Sequence, residues 1–369
     1  MAKEVKTLMS IISKYIARKF WGPFLFILCI FCLLVFLSDT IEKIRWINSY
    51  STTLRMVLKY SIFTMPAWVV QMLPIACLLS AILVITDMIS SGEWTACLAG
   101  GFTVRQIFKP LLICIAFVAL CGFAVQEFIV PDLSKSAELI FQRKIRGDKN
   151  WYFNVQNDVT LRLDDKRILF AKQVKADAGI MEGMFIDIYG KDLALIKQIQ
   201  AKRFAWDDMQ QLWVFEDGII RNFGKEAKVT EEPFKKLLSD YTVAPSKIAL
   251  GKTDANFLSI REIIRRIKFL EQSGLKITQE HTFLQTKLAA PFVTIIVCLL
   301  GMPLAIALKR SSKMLNIVAA IAIGFSFWWL VSVLSSAGQS GMLPAWLAAW
   351  GPVVVFAAVI YFEFKKLRI

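Results

Sequence analysis

The sequence predicts an α-helical membrane protein with six transmembrane helices and an external all-β, jelly-roll-like domain between the third and fourth. Three observations carry this. Of 369 residues, 56% are hydrophobic and 20% charged, with a mean hydropathy of +0.54; soluble domains sit near 45–50% apolar and about 25% charged. The apolar residues are gathered into runs as long as the roughly 20 residues that cross a bilayer. Lys and Arg are absent from Phe20 to Thr40, and no charge lies between Lys59 and Asp87. The middle of the chain, by contrast, is polar and rich in turn residues.

Taken in order, the first apolar run is Phe20–Ser38, behind the basic residues Lys3, Lys6, Lys14, Arg18 and Lys19. It is not a signal peptide, because Asp39-Thr-Ile-Glu-Lys43 follows instead of a small-residue cleavage site. The second run is Tyr60–Thr86, with Pro66 and Pro74 inside it, and the third is Pro110–Gln126. Residues 131–280 form the polar segment. Apolar runs resume at Leu288–Leu308. The 49 uncharged residues between Lys313 and Glu363 are too many for one crossing, and Ala337–Pro344 supplies a turn between Met314–Ser336 and Ala345–Phe362. The domains are therefore 1–130, 131–280 and 281–369.

Orientation follows the excess of Lys and Arg near span ends. The basic N-terminus, the Lys309-Arg310-Ser-Ser-Lys313 hairpin and the Lys365-Lys366-Leu-Arg368 tail are expected in the cytoplasm. The polar segment then lies outside, and the connection between spans two and three lies inside.

The polar segment reads as β. Leu161–Phe170, Met184–Tyr189 and Leu212–Phe223 are strand-like, with turn residues at Asp207-Asp208 and Glu216-Asp-Gly218. At its end, apolar positions 260, 263, 264, 267 and 270 follow one face of an amphipathic helix over about 258–270. Two readings of that helix's basic side stay open: contact with lipid headgroups, or plain solvation.

Several chemistries are excluded. The net charge of +15 comes with no nucleic-acid motif spacing, so nucleic acid is not an expected partner. Basic span ends account for the charge. The cysteines, Cys29 and Cys32 included, fall in apolar spans or the short connection, so no metal site is expected. One histidine, His281, builds neither a zinc site nor a catalytic pair. Gly251-Lys252-Thr253 resembles the end of a phosphate loop, but Ser246 stands where the motif needs glycine. No ATPase site and no cofactor are expected in this chain. Ionisable residues are missing from mid-span, which disfavours ion-coupled transport and points to an outside energy source.

The connection between spans two and three reads MISSGEWTACLAGGF, residues 88–102. Ser91 is expected as a helix N-cap, Glu93 favours the positive end of the helix dipole, and Gly100 suits a left-handed C-terminal position. Trp94, Cys97 and Leu98 are spaced to share one face. Such a short helix either docks on a soluble partner or rests Trp94 among headgroups.

The stretch LPIACLLSAILVITDMISSGEWTACLAGGFTVRQIFKPLL, residues 73–112, resembles the signature of the lipopolysaccharide export permease family of the LptF/LptG type. The likeness extends along the chain. YIARKFWGPFLFILCIFCLLVFLSDTIEKIR (15–45) resembles its first span and HTFLQTKLAAPFVTIIVCLLGMPLAIALKR (281–310) its fourth, with Lys287 and Pro291 in a Lys-x-x-x-Pro element. GQSGMLPAWLAAWGPVVVF (338–356) resembles the turn into the sixth. Asp39, Glu42, Lys43 and the lone Glu93 resemble the LptG side more than LptF.

The resemblance implies a transport subunit without its own ATPase site. Its partners would be a second six-span permease, a cytoplasmic ABC ATPase dimer that binds ATP and Mg, and a single-span periplasmic lipid-bridge protein. Lipopolysaccharide would be the cargo. Ser91, Gly92, Glu93, Trp94, Leu98 and Gly100 match the family's coupling helix. Lys43, Arg45, Arg55 and Lys59 are the candidate contacts to lipid phosphates, while Phe36 stands where family members carry a basic residue. Ile186, Ile188, Phe204, Trp206, Trp213 and Phe215 are the candidate acyl groove, with an ordinary sandwich core as the other reading. The rivals are a four-span permease of the lipoprotein-release or macrolide-export type, and a non-transporting periplasmic scaffold.

Overall fold

A computed structural model of the chain describes residues 2–50, 52–146, 155–162, 166–175, 180–190, 194–207, 212–223, 229–239, 258–272, 277–307 and 313–366. It divides into two compact units, Met1–Ile140 with His281–Ile369, and Phe141–Glu280.

The first unit is helical. Helices α1 (Ala2–Tyr50), α2 (Leu54–Ser90), α3 (Glu93–Ala99), α4 (Val104–Phe128) and α5 (Val130–Leu139) precede the second unit, and α5 runs on into a π-helical turn, Ile140–Ile145. Six described helices are long and apolar enough to cross a membrane. They are α1, α2, α4 and, after the β domain, α7 (Thr278–Ala307), α8 (Lys313–Gln339) and α9 (Ala345–Lys366). The helices outrun the apolar runs at most of their ends. Backbone pairing continues a helix past the hydrocarbon, whereas hydropathy registers only its immersed part.

Helix α2 is the hub. Leu78, Ile82 and Ile85 on it are fully buried against Ile107, Leu111 and Ile115 of α4 and Cys298 and Met302 of α7. Two hydrogen bonds tie other helices in: Asn316 Nδ2 of α8 donates to Thr86 Oγ1 of α2 at 3.0 Å, and Trp350 Nε1 of α9 donates to Gln285 Oε1 of α7 at 3.1 Å. In lipid such bonds replace solvation the bilayer cannot supply. The outer faces of α1 (Phe26, Leu33) and α8 (Phe325, Trp329) stay exposed and apolar, as lipid or a membrane partner requires.

The second unit holds β1 (Val155–Arg162), β2 (Arg167–Lys175), β3 (Ile180–Tyr189), β4 (Leu195–Asp207), β5 (Leu212–Phe223) and β6 (Val229–Leu238), followed by α6 (Ile260–Gln272). The chain is thus a helical membrane protein with an antiparallel β domain. The described strands pair each with the next, as a meander. Of the strand-like runs, Leu212–Phe223 coincides with β5, and Met184–Tyr189 lies inside β3. Leu161–Phe170 is corrected: it straddles the end of β1 and the start of β2.

The expected turn at Glu216-Asp-Gly218 is also corrected, because β5 passes straight through it with Asp217 at φ 51°. The reason is a crease. Every ladder skips one pair, and the skipped residues align as a row across the sheet: Asp158, Lys172, Gly183, Lys202, Asp217 and Lys235. Gly183 on the same row has φ 62°. Side-chain alternation shifts by one there, so Met181 and Met184 are both buried, as are Ala201 and Phe204. Gly251–Thr253 and the Lys309–Arg310 hairpin lie outside the described residues.

Candidate functional site

Three groups of residues were expected to carry function. The first lies between α2 and α4. Helix α2 ends at Ser90, and Ser91 closes it, its Oγ donating to the Asp87 carbonyl at 2.9 Å. The N-cap of α3 is Gly92, not Ser91, at φ 78° with no side-chain cap. Ser91 is spent on the helix before. The left-handed residue after α3 is Gly101 at φ 84°, not Gly100, whose φ is −75°. The Phe102 N–H reaches the Cys97 carbonyl and the Gly101 N–H reaches that of Leu98. This double bond pattern closes a helix only when the residue after its cap is left-handed. Thr103 and Gln106 then form a reciprocal capping box that starts α4.

The apolar face of α3 is split. Trp94 is buried against the helical core, its ring 6.1 Å from Phe108, and Cys97 is half-buried. Leu98 is exposed, together with Thr95 and Ala96. Trp94 therefore anchors the helix, and Leu98 belongs to the free surface. Burial first, and then the negative Glu93, push the Cys97 thiol above its ordinary value, so it stays protonated at neutral pH.

Glu93 is the centre of a charged cluster that sequence reasoning missed. Lys19 Nζ of α1 lies 3.1 Å from Glu93 Oε2 and 2.7 Å from Asp87 Oδ2. The Tyr15 hydroxyl donates to Glu93 Oε1 at 3.0 Å. The cluster fixes α3 to α1 and to the end of α2.

The second group sits at the other ends of α1 and α2. Lys43 is nearly buried. Its ammonium pairs with Asp39 one turn earlier and lies 4.4 Å from the centre of the Tyr60 ring and 5.6 Å from that of Trp46. Ser61 Oγ donates to the other Asp39 oxygen at 2.9 Å. Its charge is thus balanced inside the protein, and Lys43 differs from the rim cation expected. Arg45, Arg55 and Lys59 are exposed, and Phe36 is half-buried.

The third group is on the sheet. The structure brings all six positions into one cluster: Ile186, Phe204, Trp213 and Phe215 are buried, with Ile188 and Trp206 packed at its edge. Phe204 stacks on Trp213 at 4.7 Å, and Trp206 meets Trp213 edge-on at 5.3 Å. Leu270 of α6 and Ile277 close over the same cluster. The crease is what allows this. Ile186 pairs with Ile199 and Phe204 with Phe215; unbroken alternation along β4 would put residues 199 and 204 on opposite faces.

Comparison with known proteins matches residues 14–366 to the model of the family described as lipopolysaccharide export system permease LptF/LptG. The protein named lipopolysaccharide export system permease protein LptG from Haemophilus influenzae is 19% identical over 98% of this chain and 100% of its own length. The protein of the same name from Escherichia coli K12 is 20% identical over 73% of this chain and 74% of its own. With its six membrane helices and inserted antiparallel domain, the chain belongs to the LptF/LptG family of lipopolysaccharide export permeases.

Proposed function

We propose that this chain is the LptG-like half of an ABC-type transporter that takes lipopolysaccharide from the inner membrane and passes it to a periplasmic bridge. The observation that carries this is the family match over residues 14–366. Both termini and α3 lie in the cytoplasm, and the β domain lies in the periplasm. A second six-span permease completes the membrane part, and a dimeric ABC ATPase, with its own ATP and Mg, drives it. The six described membrane-length helices favour this reading over the four-span lipoprotein-release or macrolide-export type.

In this reading α3 is the coupling helix. Its exposed Leu98, Thr95 and Ala96 meet the ATPase, while buried Trp94 and the Lys19–Glu93 pair carry the push into the spans. Exposed Arg45, Arg55 and Lys59 offer charge to lipid phosphates, and Lys43 shapes that end of α1 through Asp39. The cluster around Phe204 and Trp213 opens at Ile188 and Trp206 to hold acyl chains.

The test is lipopolysaccharide release from proteoliposomes holding this chain, a second family permease and the ATPase. ATP-dependent release that stops when this chain is omitted supports the reading. ATP-independent release, or release without this chain, overturns it and favours a scaffold.

A further inference from the structure

We propose that α6 lies against the bilayer surface and binds anionic phospholipid headgroups through Arg261, Arg265 and Lys268. The helix starts on a capping box: the Ser259 N–H donates to Glu262 Oε2 at 2.9 Å, and the Glu262 N–H donates to Ser259 Oγ at 3.3 Å. Its two sides then have different tasks. Ile263, Arg266, Ile267 and Leu270 are buried, and Leu270 belongs to the core of the sheet. Arg261, Arg265 and Lys268 are exposed. At about 100° per residue these three fall within about 60° of one another, directly opposite the buried stripe. Exposed Ile264 borders them. The helix is about 20 Å long at 1.5 Å per residue, so it lays a row of cations beside an apolar edge.

Charge complementarity alone would leave a solvated face as the simpler account. The tie between α6 and the start of α7 decides against it. Arg266 Nη2 pairs with Glu280 Oε1 at 3.1 Å, and both side chains are buried. Glu280 stands in the first turn of α7. The uncharged run of α7 starts at Leu288, eight residues on, which is about 12 Å along a helix. The headgroup layer reaches about 5–8 Å beyond the hydrocarbon. An arginine or lysine side chain, and a screening length of about 8 Å at physiological salt, cover the remaining distance. Breaking the buried Arg266–Glu280 pair would strand a charge, so the pair ties α6 to the first turn of α7. A cation near an anionic leaflet raises association by about fivefold, and three act together here.

The experiment uses the full-length chain in vesicles, with an environment-sensitive fluorescent amino acid incorporated at position 264. Vesicles of phosphatidylethanolamine and phosphatidylglycerol are compared with vesicles of phosphatidylcholine, each with a trace of headgroup-nitroxide lipid as quencher. The same probe at position 235, on the outer face of β6, is the control. The expected result is quenching at 264 that is several-fold stronger with phosphatidylglycerol, is reduced by 0.5 M salt, and is absent at 235. R261Q/R265Q/K268Q abolishes it, and R261K/R265K retains it. Equal quenching in the two lipids, or no effect of either salt or the triple substitution, overturns the proposal. Should the triple variant fail to fold, the salt titration on the unaltered chain decides. None of these readouts involves lipopolysaccharide release, so the proposal stands or falls apart from the transport reading.

Discussion

Lys19 of α1 holds two carboxylates from two other helices, Asp87 of α2 at 2.7 Å and Glu93 of α3 at 3.1 Å. The Tyr15 hydroxyl, one turn before Lys19, shares Glu93. A helix of seven residues has no stability of its own. Its place is set by Trp94 on the core side and by this cation on the other. Removing Lys19 leaves two like charges facing one another with their counter-ion gone.

Lys19→Met is therefore expected to destabilise the chain by about 0.5–1.5 kcal/mol, because the two carboxylates it leaves behind are partly exposed and keep some water. Adding Asp87→Asn should recover part of that loss, because one stranded charge disappears. Thermal unfolding of the single and double variants in detergent measures it. Strictly additive losses would show that the three groups do not form one network.

The crease gives a second expectation. Gly183 sits at φ 62°, and a Cβ there would meet the Lys172 Cβ at 3.0 Å. Gly183→Ala should cost about 1–3 kcal/mol for the left-handed backbone. Lys202→Ala, on the same row but exposed, should stay within about 0.5 kcal/mol. Equal costs, followed by denaturant unfolding, would mean that the crease rests on something other than backbone conformation.

The six spans were legible because hydrocarbon immersion admits one solution, a long uncharged helix. The strand β5 was legible from its aromatic and β-branched residues. Its Glu216-Asp-Gly218 signal was read wrongly because Asp and Gly serve a turn and an in-strand φ of 51° equally well. Only the neighbouring strands distinguish the two. The strand β6 was missed, since VTEEPFKKLL has no alternation and carries Pro233, which edge strands tolerate. Asp39 stands one helical turn before Lys43, so the pairing that balances Lys43 was written in the spacing. Nothing local announces that Lys19 meets Glu93, because 74 residues, the whole of α2 among them, separate the two.

Topology has a direct check. Cysteine at Glu232, exposed on β6, should react with a membrane-impermeant maleimide added from the periplasm, whereas cysteine at exposed Thr95 of α3 should not. Thr95 is a better site than Gly92, where φ 78° would strain any side chain. Labelling of the Thr95 variant from outside would reverse the orientation and remove α3 from reach of an ATPase.

The acyl-groove reading separates buried from half-buried positions. Photo-crosslinking amino acids at Ile188 and Trp206 should capture lipopolysaccharide in the full complex only with ATP. Phe204→Ala, which empties a fully buried aromatic site, should cost about 3–5 kcal/mol. Capture at Ile188 and Trp206 that ignores ATP would leave the cluster as plain core.

Glu93 poses the sharpest test, because its carboxylate has an internal partner in Lys19 and the coupling-helix reading adds a proposed external one, a cation on the ATPase. Glu93→Gln keeps a hydrogen-bond acceptor for Lys19 and Tyr15 and should reduce release mildly. Glu93→Lys sets two ammonium groups side by side, so loss of ATPase binding could reflect a displaced α3 alone. The swap Lys19→Glu with Glu93→Lys separates the two, provided that both arms also carry Asp87→Asn to avoid a new carboxylate pair at position 19. The swap restores the internal ion pair and the thermal stability, yet presents the wrong charge to the ATPase. If the ATPase reads Glu93, co-purification and lipopolysaccharide release stay low in the swap. A desolvated like-charge contact costs several kcal/mol, well beyond the error of either assay. If the swap returns both to the level of Asp87→Asn alone, the carboxylate serves only to seat α3 on α1, and coupling must run through its exposed face at Leu98.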